Sequence, residues 1–135
     1  MKHWLLKSEP DTYSFAQLVA DKKTLWSGIR NFTARNHLRA MTPGDLALFF
    51  HTGKERAAVG IAKITTAPAP DPTATEGDWV AVQLAPVKAL PAPVTLSVMK
   101  ATAALADMAM LRQARLSVSP LTKAEYDTLL RLAGV

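Results

Sequence analysis

Between Leu25 and Arg39 the chain reads LWSGIRNFTARNHLR. The stretch sets a tryptophan, a phenylalanine, three arginines and two asparagines together, with no acidic residue among them. These side chains suit a ligand that is flat and negatively charged. An indole stacks on any nucleobase, which contributes on the order of 1–3 kcal/mol per base. Arg30, Arg35 and Arg39 offer planar forks of donors that match a phosphate or a base edge. Asn31 and Asn36 can meet a base edge with a donor and an acceptor together. Trp26 stands before a turn at Gly28, where one indole face can be presented to a cleft. Arg35 and Arg39 are four apart on one helix face and repel slightly unless something negative offsets them. Plainer uses compete with each reading: a tryptophan is more often core, and an asparagine before a helix caps it.

No catalytic signature accompanies this group. His3, His37 and His51 are scattered, with neither HxxxH nor HxH spacing, so no metal ligand is assigned. Acids near plausible sites are limited to Glu9, Asp11 and Asp45, and Asp45 follows TPG, where it should bond its own turn. There is no GxSxG and no GxxxxGK[ST], and nothing reads as a nucleophile with a dedicated base. No catalytic residue and no cofactor are expected. The absence of cysteine excludes disulfides and thiolate metal sites.

The charge is uneven. Residues 1–56 carry nine Lys/Arg against five Asp/Glu, whereas residues 57–135 carry seven against six. An excess confined to one half points to a polyanion partner more than the net +5 does. With 135 residues, nearly half of them apolar, a single domain over 1–135 with one real core is expected. No apolar run approaches the roughly 20 residues of a membrane span. MKHWLLKSEP turns polar too soon for a signal-peptide core. A soluble, cytoplasmic monomer that needs no membrane is the expectation.

The elements that would position these residues follow from periodicity. HWLLK (3–7) reads as a buried strand, and YSFAQLVAD as a short helix with Ser14 and Gln17 as capping box. Asn31 caps a second helix to about Ala40. LALFFHT (46–52) and AAVGIAKITTA (57–67) read as a hairpin, and WVAVQLAPVKAL (79–90) as a strand ending in a proline break. A short helix starts at Thr95, ALADMAMLRQ (104–113) is a modest helical segment, and RLSVSP (115–120) is a short strand. Thr122 and Glu125 cap a last helix, with Tyr126, Leu129, Leu130 and Leu132 toward the core. Strands and helices intermingle without βαβ alternation, which predicts an α+β fold with a mixed sheet or small barrel.

The runs WLLKSEPDTYSF (4–15), WSGIRNFTARNHLRAMTPGDLALFFH (26–51), VGIAKI (59–64) and ADMAMLRQARLSVSPLTKAEYDTLL (106–130) together resemble the EVE domain, a member of the PUA-like superfamily akin to YTH and ASCH domains. The likeness covers nearly the whole chain. It implies a PUA-like mixed β-barrel or sheet of five to six strands, with helices packed around it and a pocket for a modified nucleobase. In YTH readers a KS…WS pattern places a tryptophan beneath the base and small polar groups at its edge. Lys7, Ser8, Trp26 and Ser27 match that pattern, while Glu9 and Pro10 replace the polar residues that follow Lys-Ser.

With Lys7, Ser8, Trp26 and Ser27, the candidate base pocket comprises Glu9, Gly28, Asn31 and His51, and Arg115 and Ser117, which match the family's C-terminal stretch, close its floor. Arg30, Arg35, Arg39, Lys54 and Arg56 would hold flanking phosphates. Glu9 can only accept hydrogen bonds, so it favours a base edge rich in donors, although before Pro10 it equally suits a turn. The loop after LALFF offers His51, Lys54 and Arg56 where the related readers place an aromatic wall. The resemblance implies nucleic acid carrying a modified base as partner. Methylated or hydroxymethylated cytosine in DNA ranks first, and modified RNA is a further candidate. An enzyme acting on the same base and a protein-binding adaptor are the competing readings.

Overall fold

A computed structural model describes residues 1–135. Seven strands form one curled mixed sheet: β1 (His3–Ser8), β2 (Thr24–Trp26), β3 (Leu46–His51), β4 (Ala57–Ile64), β5 (Ala69–Pro70), β6 (Val80–Thr95) and β7 (Val118–Leu121). The order is β2-β6-β4-β3-β1-β7, with β5 paired to β6 off this path. β1 runs parallel to β3, and every other pairing is antiparallel. Five helices pack around the sheet: α1 (Phe15–Asp21), α2 (Phe32–Arg39), α3 (Leu96–Ala101), α4 (Ala109–Arg112) and α5 (Lys123–Leu132).

The strands in the middle of this order are buried on both faces, which explains their unbroken apolar runs. Along β1, Trp4 and Leu6 join one core cluster with Ala34 and Leu38 of α2. Leu5 points the other way, into a cluster with Met99 of α3 and Leu129 of α5. A third, smaller cluster seats Phe15 and Leu18 of α1 on Phe49. Asp45 ties the N-terminus to this frame. Its carboxylate accepts from the Lys2 and Thr42 amides and from the Trp4 indole Nε1, each at 3.0 Å. Burial alone would raise the pKa of Asp45, but these donors outweigh it and the net shift is downward. The expected bond to its own turn is the Thr42 contact; the other two come from Lys2, just before β1, and from Trp4 within it.

Three expectations change. β6 continues from Val80 to Thr95 through Pro86, Pro91 and Pro93 rather than breaking near Leu90. Proline cannot donate to a ladder. Here the prolines fall where the β4–β6 register shifts: only Val59 separates paired residues on β4, while Leu90 through Pro93 bulge out opposite. The Ala92 amide inside that bulge is satisfied by the Ala133 carbonyl instead. The segment 104–113 is not one helix but the short α4 preceded by a single 3₁₀ turn at Ala103–Leu105. On α5, Leu132 is exposed and Ala133 takes the core position, so the apolar face ends one residue later than the leucines imply.

The caps behave as their chemistry requires. Ser14, Asn31, Thr95 and Thr122 all accept from the amide three residues on. The box at Thr122 is complete, whereas Gln17 turns its amide to Asp21 and leaves Ser14 as a half box.

Gly60 on β4 is the tightest approach in the sheet, because a Cβ there would lie 2.4 Å from the Phe15 ring. Gly60→Ala should therefore cost about 1–3 kcal/mol through displacement of Phe15 and α1. Urea unfolding would measure it; an unchanged midpoint would mean that α1 is free to move.

Candidate functional site

Curling brings the end of β1 and the end of β2 to one cavity of about 360 Å³, although three strands separate them in the sheet. Lys7, Ser8 and Glu9 come from β1 and its exit, Thr12 and Tyr13 from the turn before α1, and Thr24, Leu25 and Trp26 from β2. Ser27 and Ile29 complete the lining from the segment that follows.

Trp26 meets two aromatic neighbours at steep angles. Its ring meets Phe49 at 5.5 Å and 70°, and Tyr13 at 6.3 Å and 69°. Such perpendicular contacts are favourable aromatic geometry and fix the plane of the indole. Its Nε1 is buried without a hydrogen-bond partner, in contrast to that of Trp4.

Around it the polar groups are set by the main chain. The Glu9 carbonyl accepts from the amides of Thr12 and Tyr13, forming the turn that swings Tyr13 toward Trp26. The Glu9 carboxylate remains exposed and accepts one bond from the Thr52 hydroxyl at 3.1 Å. The Glu9 backbone thus makes the turn that its place before Pro10 implies, while its side chain leans on Thr52 just after β3. The buried Ser8 hydroxyl donates to the Tyr13 carbonyl, so its remaining capacity is that of an acceptor. Lys7 donates through Nζ to the Ala114 carbonyl at 2.6 Å, and burial lowers its pKa.

The other candidates lie elsewhere. Gly28, at φ +81°, donates its amide to Asp71 at 2.8 Å and does not line the cavity. Asn31 caps α2 through Oδ1. His51 is buried; its Nε2 accepts from the Phe15 amide at 3.0 Å, which leaves Nδ1 to donate to Glu55 at 2.6 Å. It anchors α1 rather than walling the cavity. Arg115 is exposed beside Asn31 and Thr33 and makes no ion pair, and Ser117 contributes its carbonyl to the Lys7 amide at 2.9 Å. Lys54 and Arg56 stand on the β3–β4 turn next to Ser97 and Lys100.

The arginines are not unopposed. The loop between β5 and β6 supplies the acids that their own stretch lacks. Arg30 pairs with Asp71 at 3.1 Å, and Arg39 pairs with Asp78. Arg35 has no carboxylate partner; it bonds Asn36 Oδ1 and lies 4.9 Å from the Phe32 ring centre. Asp71 has no exposed side-chain surface. Burial would raise its pKa, but donors from Thr73, Gly28 and Arg30 hold it well below the carboxylate range.

Sequence reasoning missed Tyr13 and Asp71. Tyr13 sat within a helix-start pattern and Asp71 within a proline-rich loop, and neither reveals its partner locally.

The model of the EVE domain family matches residues 2–132. The chain belongs to the EVE domain family. Human thymocyte nuclear protein 1 is 34% identical over 96% of this chain and 73% of its own length. The NMR structure of a Rhodopseudomonas palustris protein superposes with a TM-score of 0.94 at 40% identity, covering 99% of this chain and 94% of that one. The human THYN1 protein in complex with 5-methylcytosine-containing DNA superposes at 0.92 and 31% identity, covering 100% of this chain and 99% of that one. This EVE domain thus keeps the frame of its relatives along its whole length.

Because the Asp71 pKa is depressed in the fold, its contribution is present above the unfolded value of about 3.9 and is lost as pH falls below it. Asp71→Asn should cost about 1–3 kcal/mol at pH 7. Arg30 is 39% exposed, so water softens the loss of its partner. The gap between the two proteins should narrow below about pH 4. Urea midpoints at pH 7 and pH 3 test this, and a gap independent of pH would remove the role of the charge.

Proposed function

We propose that this EVE domain is a reader of a modified base in DNA, with methylated or hydroxymethylated cytosine lodged in the cavity at Trp26 and no chemistry performed on it. The observation that carries the reading is the braced indole of Trp26 lining a cavity whose rim holds acceptors. Glu9 and Ser8 are among the lining residues and both keep acceptor capacity, which suits the exocyclic amine of cytosine. Leu25 and Ile29 add apolar lining, against which a 5-methyl group loses less than a charged edge would. The human THYN1 protein in complex with 5-methylcytosine-containing DNA supports the same ligand class.

Extracting a base from a duplex costs a few kcal/mol. Stacking on Trp26 and hydrogen bonds at the rim offset that cost. Arg35, which has no carboxylate partner, and Arg39 on the same helix add positive charge for the flanking phosphates. Contacts of that kind position a strand without reading it and weaken with salt.

The test compares Trp26→Ala with Trp4→Ala on DNA and RNA oligonucleotides carrying cytosine, 5-methylcytosine or 5-hydroxymethylcytosine. Trp26→Ala should lose roughly 1–3 kcal/mol of binding, most of it on the modified bases. Trp4 is 3% exposed, and its truncation should lower stability by about 3–5 kcal/mol while leaving base preference intact. A wild-type protein that binds all oligonucleotides alike, or a Trp26→Ala protein with unchanged preference, would overturn the proposal.

A further inference from the structure

Outside the cavity, one surface combines flat rings with guanidiniums. Phe32, the first residue of α2, is 65% exposed, an unusual position for a phenylalanine. Its ring stacks on Trp79 at 5.1 Å and 22°. Arg35 lies 4.9 Å from the Phe32 ring centre and 5.5 Å from that of Trp79, and Arg30 lies 5.5 Å from Trp79. Arg35, Phe32 and Trp79, separated by 4.9, 5.5 and 5.1 Å, make a near-equilateral triangle. Arg35 therefore sits beside the ring pair and does not cap the far side of Phe32, since a guanidinium there would be much farther from Trp79.

The pair is built rather than incidental. The loop carrying Trp79 is closed by the Asp71 amide donating to the Trp79 carbonyl at 2.9 Å. Gly77, at φ +87°, leaves room for the indole, because a Cβ there would lie 2.8 Å from its Nε1. Asp71 in turn fixes Gly28 and Arg30 on the other side. Burying the ring of Phe32 against the core would have been the ordinary outcome for this residue type; here it is held open on a rigid backing.

We infer that the exposed ring of Phe32, backed by Trp79 and flanked by Arg35, is a stacking platform for an unpaired nucleobase next to the one lodged at Trp26. The inference rests on the reading of the cavity for its neighbour, and on Phe32 itself for its chemistry. Ile29 lines the cavity and Phe32 follows three residues later, at most about 10 Å along the chain. A strand leaving the cavity therefore meets Phe32 within a short stretch. A nucleobase matches a flat ring of this size, and Arg35, without a carboxylate partner, is the cation free to meet its phosphate. Asp78 and Glu76 on the same loop oppose a polyanion, but both are exposed and Asp78 is already paired with Arg39. Stacking tolerates any base, so the platform adds affinity and no sequence preference.

The test uses single-stranded DNA with one 5-methylcytosine, its unmodified counterpart, and versions of both in which the bases flanking that position are abasic. Phe32→Ala should weaken binding of the modified and unmodified strands alike by roughly 5- to 100-fold. Phe32→Tyr should restore binding, whereas Phe32→Leu, apolar but not flat, should not. On the abasic-flank strands Phe32→Ala and wild type should bind equally. Thermal melting should be nearly unchanged, as the ring is mostly exposed. Wild-type affinity in Phe32→Ala, restoration by leucine, or an equal loss on the abasic-flank strands would overturn the platform. The cavity reading fails separately, through Trp26→Ala leaving the modified-base preference intact, while a Phe32→Ala loss on unmodified strands would still stand.

Discussion

The carboxylate of Asp71 organises the region around the cavity. It is buried and ionised, and it receives four donors: the Gly28 amide, the Arg30 guanidinium, and both the amide and the hydroxyl of Thr73. A buried charge is tolerated only when such bonds replace its water. Gly28 adopts a left-handed conformation that a side chain would strain, and nothing within its own stretch could hold that turn. The anchor comes from residues far along the chain instead. From it follow the direction of Trp26 at the end of β2, the cavity-lining positions of Ser27 and Ile29, and the placement of the loop that brings Trp79 to Phe32.

This constraint also revises the electrostatics. Read as sequence, residues 25–39 are purely cationic. In the fold, one arginine is neutralised by a buried carboxylate and another by an exposed one. The exposed Arg39–Asp78 pair contributes little to stability and can exchange for a phosphate at small cost. The Arg30–Asp71 pair cannot, because breaking it uncovers a buried charge. Arg30 is thus a structural cation, and only Arg35 and Arg39 remain available to a polyanion. The long-range field is weaker than the composition implies.

Much of the frame was legible because it is encoded locally. Ser14, Asn31, Thr95 and Thr122 announce their helices by spacing alone, and HWLLK and LALFF announce buried strands by their unbroken apolar runs. The grouping of Lys7, Ser8, Trp26 and Ser27 along one cavity was legible through family likeness rather than through periodicity. What was hidden depends on distant partners. β2 is three residues long and exists only because β6 lies beside it. The prolines of β6 read as a break, yet they fall at bulges that only the pairing with β4 creates. His51 looked like a cavity wall until the Phe15 amide was found on its Nε2. Tyr13 and Asp71 became visible only once the sheet had curled.

The two core-reaching tryptophans show what a strand end leaves open that a strand interior does not. Trp4 sits within β1, packed in the core, with its indole N–H bonded to Asp45. Every polar and apolar demand of that side chain is met by the protein. Trp26 sits at the last position of its strand, with packing on Phe49 and Tyr13 edge-on and an N–H left unpaired. Beyond that position the sheet no longer covers the indole, so the ring is braced but not enclosed. Bracing matters for binding, because a ring already fixed in plane loses little freedom when a ligand stacks on it. Ser8 ends β1 in the same way, with its hydroxyl proton engaged and only acceptor capacity left. The ladder thus sets the positions of the groups at its margin to the accuracy of the sheet itself, while the exposed Glu9 and the turn to Tyr13 supply the chemistry that a strand interior could not hold.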